Sequence, residues 1–492
     1  MKKTLAVLLA VVMLSSIFVS CKNEAEEITE TDTVGTVAEM GRLAELGERD
    51  FNGAIFTVLD ANDYPDMHVN YATEDTQTSS NISQALYTRD VVMKMNYNLG
   101  DIKYVSITKA SDGCDNLSTQ VLAGQCEYDM VISTAVGASY AGTLPALGIN
   151  GVLRNLIDIE YLSLDKEWWS PLIYERLTIN DTLFFTTGDI APSLYQAPAA
   201  MYVNMDLLEQ YHSDIDIFEI VENGEWTIGK LHELTKDVSQ DLNEDNMMRA
   251  TDDFFGIAMF FNGLSIQNFV LGAGSSFSTV KNNDLTMDNL KSETVGNLIT
   301  AIKGLFPSMK YTYGDGGDQQ NVIDYAFKGG KSIFLAHQLE CAMFHLRDMK
   351  DDYAVIPQPK TNTDQTHYIS NINNWCDCFV SVPLSISEER MEFVGFMMEA
   401  MAAYSRDNLY PFIYGSVLKF QRVNDPQSSA MIDVIMDGIV IDYAICYDIG
   451  GLALMAHNAV INNVPLSSAA IGASGTIKSS IKQILAAHGV KK

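Results

Sequence analysis

From Phe51 onward the chain alternates short apolar runs with helical stretches, and this alternation restricts the fold more than any other feature of the sequence. Ala54 to Leu59 reads as a strand, Asn81 to Asn98 as an amphipathic helix, Ile102 to Ile107 as a strand, Asn116 to Gly124 as a helix and Tyr128 to Ser133 as a third strand. A βαβαβ opening of this kind predicts a mostly parallel sheet covered by helices. Ligands in such open sheets lie beyond the carboxyl ends of the strands, which makes candidates of the loop Asn62-Asp63-Tyr64-Pro65 and of Ser133, Thr134 and Gly137.

Further strands are predicted at Thr182 to Thr187, Ala199 to Asn204, Phe254 to Phe261, Lys331 to Ala336, Tyr353 to Pro357 and Trp375 to Pro383. A helix starting near Thr227, with that residue as N-cap, follows the turn Asn223-Gly224-Glu225-Trp226. The tail is mainly helical, most periodic over Met391 to Tyr404 and Ser428 to Ile441. The residues after Phe51 exceed what one hydrophobic core holds, so at least two lobes are expected.

The first residues set the compartment. Lys2 and Lys3 precede an uncharged apolar run from Leu5 to Val19, too short to span a bilayer as a helix and ending in Phe18-Val19-Ser20-Cys21. That is a secretory signal, and its end resembles a bacterial lipobox, which implies diacylation of Cys21; cleavage as an ordinary secretory signal is the alternative. Residues 22–50 are rich in Glu, Thr and Ala and poor in large apolar residues, so they read as a flexible tether, with a short helix open to Val37 to Leu46.

Formal net charge is -31, from 32 basic and 63 acidic residues, which opposes nucleic acid and anionic membrane faces as partners. With Cys21 assigned to lipid, the remaining cysteines form no CxxC pair and no nearby Cys/His quartet, so a structural zinc site is not expected. Cys114 and Cys126 are read either as a disulfide or as free thiols, while Cys376 and Cys378 on one strand are poorly placed to bridge.

Three segments then fall in a telling order: Asn223-Gly224-Glu225-Trp226-Thr227, Phe327-Lys328-Gly329-Gly330-Lys331-Ser332, and Tyr353-Ala354-Val355-Ile356-Pro357-Gln358-Pro359-Lys360. With the lipobox, the acidic tether and the βαβαβ opening, this order resembles family 1 extracellular solute-binding proteins, the relatives of maltose-binding protein that serve ABC importers. The resemblance implies an α/β fold of two discontinuous lobes, each a mixed, mostly parallel sheet flanked by helices. Residues 1–20 would be the signal and 21–50 the tether, with 51–190 plus 371–408 as lobe one and 191–370 plus 409–492 as lobe two. Crossings between lobes are placed at Asp189 to Ala197, Tyr368 to Asn374 and Arg406 to Tyr410.

The function implied is capture of a small polar solute, a carbohydrate for preference, in the inter-lobe cleft, and its delivery to the permease subunits of an ABC transporter. The protein would be a monomer held by its lipid alone to the outer face of the cytoplasmic membrane. Sugars need aromatic platforms beside amides or carboxylates. Trp375, among Asn373, Asn374 and Asp377, meets that description, with simple packing as its alternative. His337 and Gln338 face the cleft by position in the family pattern, and Phe261 and Asn262 end another predicted strand. Tyr64 and Tyr195 lie in loops at the predicted cleft edge, and Ser133 and Asp189 complete the ligand-binding set. Trp168 with Trp169 and Trp226 are read as packing residues.

Asp241, Asn243, Asp245 and Asp252 carry oxygens at EF-hand-like spacing, which allows calcium, although Asn246 replaces the turn glycine and Arg249 takes the ninth place; a solvated acidic loop is the other reading. No cofactor is otherwise expected. No GxSxG, HExxH, Walker A or dinucleotide fingerprint is present, and the eight histidines are scattered, so an enzyme is not expected. A secreted glycoside hydrolase, which needs only two placed carboxylates, and a ligand-sensing surface lipoprotein are the alternatives.

Overall fold

A computed structural model describes residues 41–136, 142–260, 263–305, 322–414 and 426–491. The signal, Cys21, Gly137, Phe261 and Asn262 lie outside the described residues. Strand Ile55–Asn62 (β1), helix Asn81–Asn96 (α1), strand Asp101–Thr108 (β2), helix Ala110–Leu122 (α2) and strand Met130–Thr134 (β3) open the fold. Strands Ala199–Asn204 (β4) and Phe255–Met259 (β5), helix Gly263–Gly272 (α3), strand Ser332–Gln338 (β6), helix Glu340–Phe344 (α4) and strand Tyr353–Ile356 (β7) follow. The chain continues through the two-residue strand Ser370–Asn371 (β8), Cys378–Ser381 (β9), the long helix Glu388–Asn408 (α5) and Ile439–Val440 (β10).

Eight of these strands make two separate four-stranded sheets, each of which is the centre of a lobe, and β8 pairs with β10 apart from both. The first runs β9-β3-β1-β2 and the second β5-β6-β4-β7. In the first, β2 and β3 both pair parallel to β1, with α1 and α2 as the crossovers such pairing demands. Gly113 lets α2 press onto β1, since a Cβ there would stand 2.4 Å from the Cβ of Ala61. β9 closes the edge antiparallel, with Phe379 opposite Ser133. In the second sheet β5 and β6 are parallel, whereas β4 runs antiparallel to both β6 and β7.

Two predicted strands differ in extent. Trp375 to Cys376 stays outside β9 because Asn373 folds the chain into a turn, accepting from the amides of Cys376 and Asp377 at 2.9 and 2.8 Å. Thr182 to Thr187 forms no strand: it makes isolated bridges, Ile179 with Thr182 and Thr186 with Val380. Thr227 does cap its helix, accepting from the Lys230 amide. Among the described residues Cys114 and Cys126 are free thiols rather than a disulfide.

Trp168 and Trp169 are both buried, and both indoles donate to the Glu399 carboxylate on α5, at 3.0 and 2.5 Å. The Ser163 amide donates to the same group at 3.2 Å. One fully buried acid thereby holds the 163–169 segment onto the helix. Trp226 is core as well, its indole donating to the Pro357 carbonyl at 2.9 Å.

Removing a shared acceptor leaves several buried donors unmet, so Glu399→Ala is expected to cost about 3 kcal/mol and Glu399→Gln, which keeps one acceptor, about half that, by urea denaturation. A second expectation concerns Asp60 on β1. Burial, opposed by the Asn70 amide at 2.8 Å, pushes its acid up to about 6. The folded state then holds this proton more tightly than the unfolded chain does. Its contribution is complete below about pH 4 and is lost as pH rises through 6. Asp60→Asn should therefore gain about 2 to 3 kcal/mol on wild type between pH 4 and pH 7, read as the difference between their unfolding free energies at the two pH values.

Candidate functional site

The loop after β1 meets the residues after β6 through His68 and Glu340, and the turn before β9 meets the end of β3 through Asn374 and the Ala135 carbonyl; the Gln196 to Pro198 segment passes beside them. On one flank Leu339 and Glu340 donate their amides to Pro198 and Gln196; on the other the Asn373 amide donates to Ala197 at 3.0 Å. The start of α4 and the turn before β9 are thus fixed to the floor of the cleft by backbone bonds, whatever the lobes do above them.

His337 and Gln338 end β6, both buried, opposite Ala200 and Ala199 of β4. They line a cavity of about 40 Å³ together with Phe260, Asn268, Gln358 and Asn373. Its walls are rich in carboxamides, and several of the surrounding acceptors are unmet: Gln196 Oε1, Gln358 Oε1, Asn371 Oδ1 and Asn374 Oδ1 have no hydrogen-bond partner among the described residues. In three of them the amino group is anchored instead. Gln358 donates to the Ala200 carbonyl at 3.0 Å, Asn371 to Asn268 at 2.8 Å, and Asn374 to the Ala135 carbonyl beyond β3 at 2.6 Å. The last bond ties the crossing turn to lobe one.

Trp375 projects from this turn, 43% exposed, and Tyr64 is 50% exposed in the loop after β1. That loop is folded onto itself, with Asn62 donating to the His68 carbonyl and accepting from the Tyr64 amide. It buries His68, whose ring meets Tyr64 edge to face at 5.7 Å. His68 Nε2 lies 3.5 Å from Glu340 Oε2, a contact between a lobe-one loop and the start of α4. Burial disfavours the Glu340 carboxylate, yet contact with His68 and the fields of His337 and His345 outweigh it and hold the acid below its ordinary range. Burial lowers His337 to about 4, against the pull of Glu340, so its imidazole is neutral at pH 7.

Other sequence candidates fall elsewhere. Tyr195 does not sit in a loop at the cleft edge: it lies in a short 3-10 helix and is wholly buried, its hydroxyl bonded to the Asp189 carboxylate and its ring 5.3 Å from Tyr410. Arg406 reaches Asp189 at 3.5 Å and lies over the Tyr410 ring at 4.1 Å. Asp189 and Tyr195 therefore tie their segment to the one carrying Arg406 and Tyr410. Burial, resisted by Arg406, pushes Asp189 up to about 7. Ser133 is buried within lobe one, where the Cys114 thiol approaches it at 3.7 Å.

In the acidic loop, the oxygens of Asp241 and Asn243 accept from the amides of Asn246 and Asp245, and the Asp245 carboxylate is paired with Arg249. Asp252 faces solvent, and the carboxylate that turns inward is Asp253, which accepts from the amides of Leu242 and Arg249. This loop supplies its own cation in Arg249. His68 and Glu340 escaped sequence reasoning, each standing a few residues beyond a segment that did draw notice, and Gln358 lay within a noticed segment without being marked as a site residue.

No family model matches the sequence, and no curated protein matches it. Solved structures do resemble the fold. The GacH receptor of Streptomyces glaucescens, solved unliganded and with acarbose, is 14% identical over 87% of this chain and 99% of its own, at a TM-score of 0.53. The galacto-N-biose/lacto-N-biose I-binding protein of a Bifidobacterium longum ABC transporter, solved with lacto-N-biose, is 12% identical over 88% and 98%, also at 0.53. UgpB from Mycobacterium tuberculosis, in complex with glycerophosphocholine, is 11% identical over 84% and 98%, again at 0.53. Among the described residues no helix is long and apolar enough to cross a membrane. At such identities the likeness carries the architecture: this chain has the two-lobed fold of the periplasmic binding proteins.

Proposed function

We propose that the protein is a substrate-binding lipoprotein which captures a small polar solute, a carbohydrate for preference, between its lobes and delivers it to the permease subunits of an ABC importer. The observation that carries this reading is the group of buried carboxamides at the cleft floor whose carbonyl oxygens have no partner among the described residues. Leaving such acceptors unmet costs about 1 to 3 kcal/mol each, and a ring of hydroxyls is the chemistry that satisfies them. Trp375 and Tyr64 supply exposed aromatic faces near the same floor, suited to the apolar side of a pyranose.

The cavity of about 40 Å³ is far below the roughly 300 Å³ at which small-molecule sites begin, so binding requires the lobes to separate and close again. Solute then acts by favouring the closed arrangement, in which both lobes contact it. Similar folds hold acarbose, lacto-N-biose and glycerophosphocholine, which places polar, hydroxyl-bearing molecules within the reach of this architecture. Capture without chemical conversion fits the neutral His337 and the carboxamide lining. The N-terminal signal, ending in Cys21, adds anchorage to the outer face of the cytoplasmic membrane through lipid.

A panel of mono- and oligosaccharides, with a glycerophosphodiester for comparison, is expected to yield at least one ligand that raises the melting temperature. At 100 times Kd the gain is about 2.7 kcal/mol. Trp375→Ala should weaken that ligand about tenfold or more in calorimetric titration while leaving the ligand-free melting temperature near wild type. A panel without any stabilising solute counts against the reading, and a collapse of folding in Trp375→Ala returns that ring to the core. Labelling with a palmitate analogue, lost in Cys21→Ser, checks the anchor.

A further inference from the structure

The geometry points to a transition-metal site, zinc by its donor set, made by His68, Glu340 and Cys376 at the floor of the cleft. It rests on the two-lobed architecture and not on carbohydrate as the solute. A ring nitrogen, a carboxylate oxygen and a sulfur from these three residues all lie within 4.8 Å of one another. His68 Nε2 stands 3.5 Å from Glu340 Oε2, and Cys376 Sγ stands 3.6 Å from Glu340 Oε1. A tetrahedral ion at about 2.0 Å from N and O and 2.3 Å from S sets its ligand atoms about 3.3 to 3.5 Å apart. The two separations end on different oxygens of the Glu340 carboxylate, so the group lies near that spacing and a small turn of the carboxylate brings one oxygen to face both partners.

The state of these atoms without an ion is a costly one. His68 is 1% exposed, and neither ring nitrogen has a hydrogen-bond partner among the described residues. Glu340 is 2% exposed, and its Oε2 is likewise unmet. At 3.5 Å the His68 contact is too long for good hydrogen bonding. An ion between them uses the imidazole lone pair, the carboxylate and the sulfur at once.

The donor set is selective. Imidazole, carboxylate and thiolate together suit zinc, while magnesium and calcium take oxygen ligands. Charge closes as well: the Cys376 S–H bond is replaced by a sulfur–metal bond, the proton leaves to solvent, and thiolate and carboxylate balance a divalent ion beside a neutral imidazole. The Asn373 amide already donates to Cys376 Sγ at 3.0 Å, an outer contact that stabilises a thiolate. Three protein ligands leave one position for water or for a solute oxygen.

The three ligands belong to three different parts of the chain. His68 is in the lobe-one loop, Glu340 opens α4 in lobe two, and Cys376 is in the crossing turn. A bound ion therefore joins both lobes to the hinge at its base.

The test is titration of the chelator-treated full chain with Co²⁺ alone, in solute-free buffer. One equivalent should bind with a sulfur-to-cobalt charge-transfer band in the near ultraviolet, displaced by Zn²⁺. Cys376→Ser should abolish the band, and His68→Gln and Glu340→Gln should each weaken binding at least about tenfold. Wild type provides a reading independent of any variant's folding: Zn²⁺ should slow alkylation of Cys376 about tenfold or more and leave half-buried Cys126 unchanged, by mass spectrometry. Absence of the band in wild type, its persistence in Cys376→Ser, or alkylation of Cys376 indifferent to Zn²⁺ overturns the assignment. Solute binding measured in the presence of chelator reports on the carbohydrate reading separately.

Discussion

The antiparallel pairing of β9 on β3 is the constraint from which the arrangement of this molecule follows. The first sheet begins with three parallel strands joined by helices, and its exposed edge at β3 is closed only by a strand that returns after the second sheet has been built. To reach that edge the chain must come back across the gap between lobes. The turn Asn373 to Asp377 makes this return and is held against the outgoing crossing at Ala197. The first sheet is discontinuous in the chain for this reason, and the segments at Ala197 and Asn373 lie side by side. The Arg406 to Tyr410 segment is fastened to the Asp189 to Tyr195 segment by side-chain contacts. The hinge is therefore a packed, hydrogen-bonded layer rather than a set of loose linkers.

What the cleft floor can do depends on how its polar groups are divided between anchoring and recognition. In Gln358, Asn371 and Asn374 the amino group is bonded to backbone or to a neighbouring amide, and the carbonyl is left over. Each side chain is thus fixed in orientation by one half and presents the other. Such preorganisation lowers the ordering cost of binding, since no rotamer must be selected when a guest arrives. The charged residues nearby follow a different logic. His337 is neutral because burial outweighs the attraction of Glu340, whereas the Glu340 acid is held below its ordinary range against burial, chiefly by its contact with His68. Acid and imidazoles are coupled through space from different elements.

The parts of this architecture legible in the sequence were those set by local periodicity. β1, α1, β2 and β3 were visible because each apolar run has its own length and period, and Thr227 was visible as a cap because the bond it makes is three residues away. Thr182 to Thr187 has strand composition, but only Thr186 finds a pairing partner on β9, and composition cannot disclose the absence of a neighbour. His337 and Gln338 were marked by the end of their strand, and they do line the cavity. His68 and Glu340 could not be marked as a pair, since what brings them together is the approach of two lobes. Tyr195 misled for the opposite reason: a loop-like Pro-Ser-Leu-Tyr segment signals exposure, while the Asp189 and Arg406 that bury it stand elsewhere in the chain.

Glu399 also bears on the order in which the polypeptide can acquire structure during its synthesis. The tryptophans that dock on it are made early, and the carboxylate that receives them is made after most of the chain. The strand that seals the first sheet comes just before it. Contacts spanning so much sequence are slow to form, because a long loop must close before they stabilise anything. A ribosome that has released the chain through Trp169 has consequently released a half-sheet whose β3 edge is open and two unhoused indoles. The native state of that region has to wait until α5 has emerged.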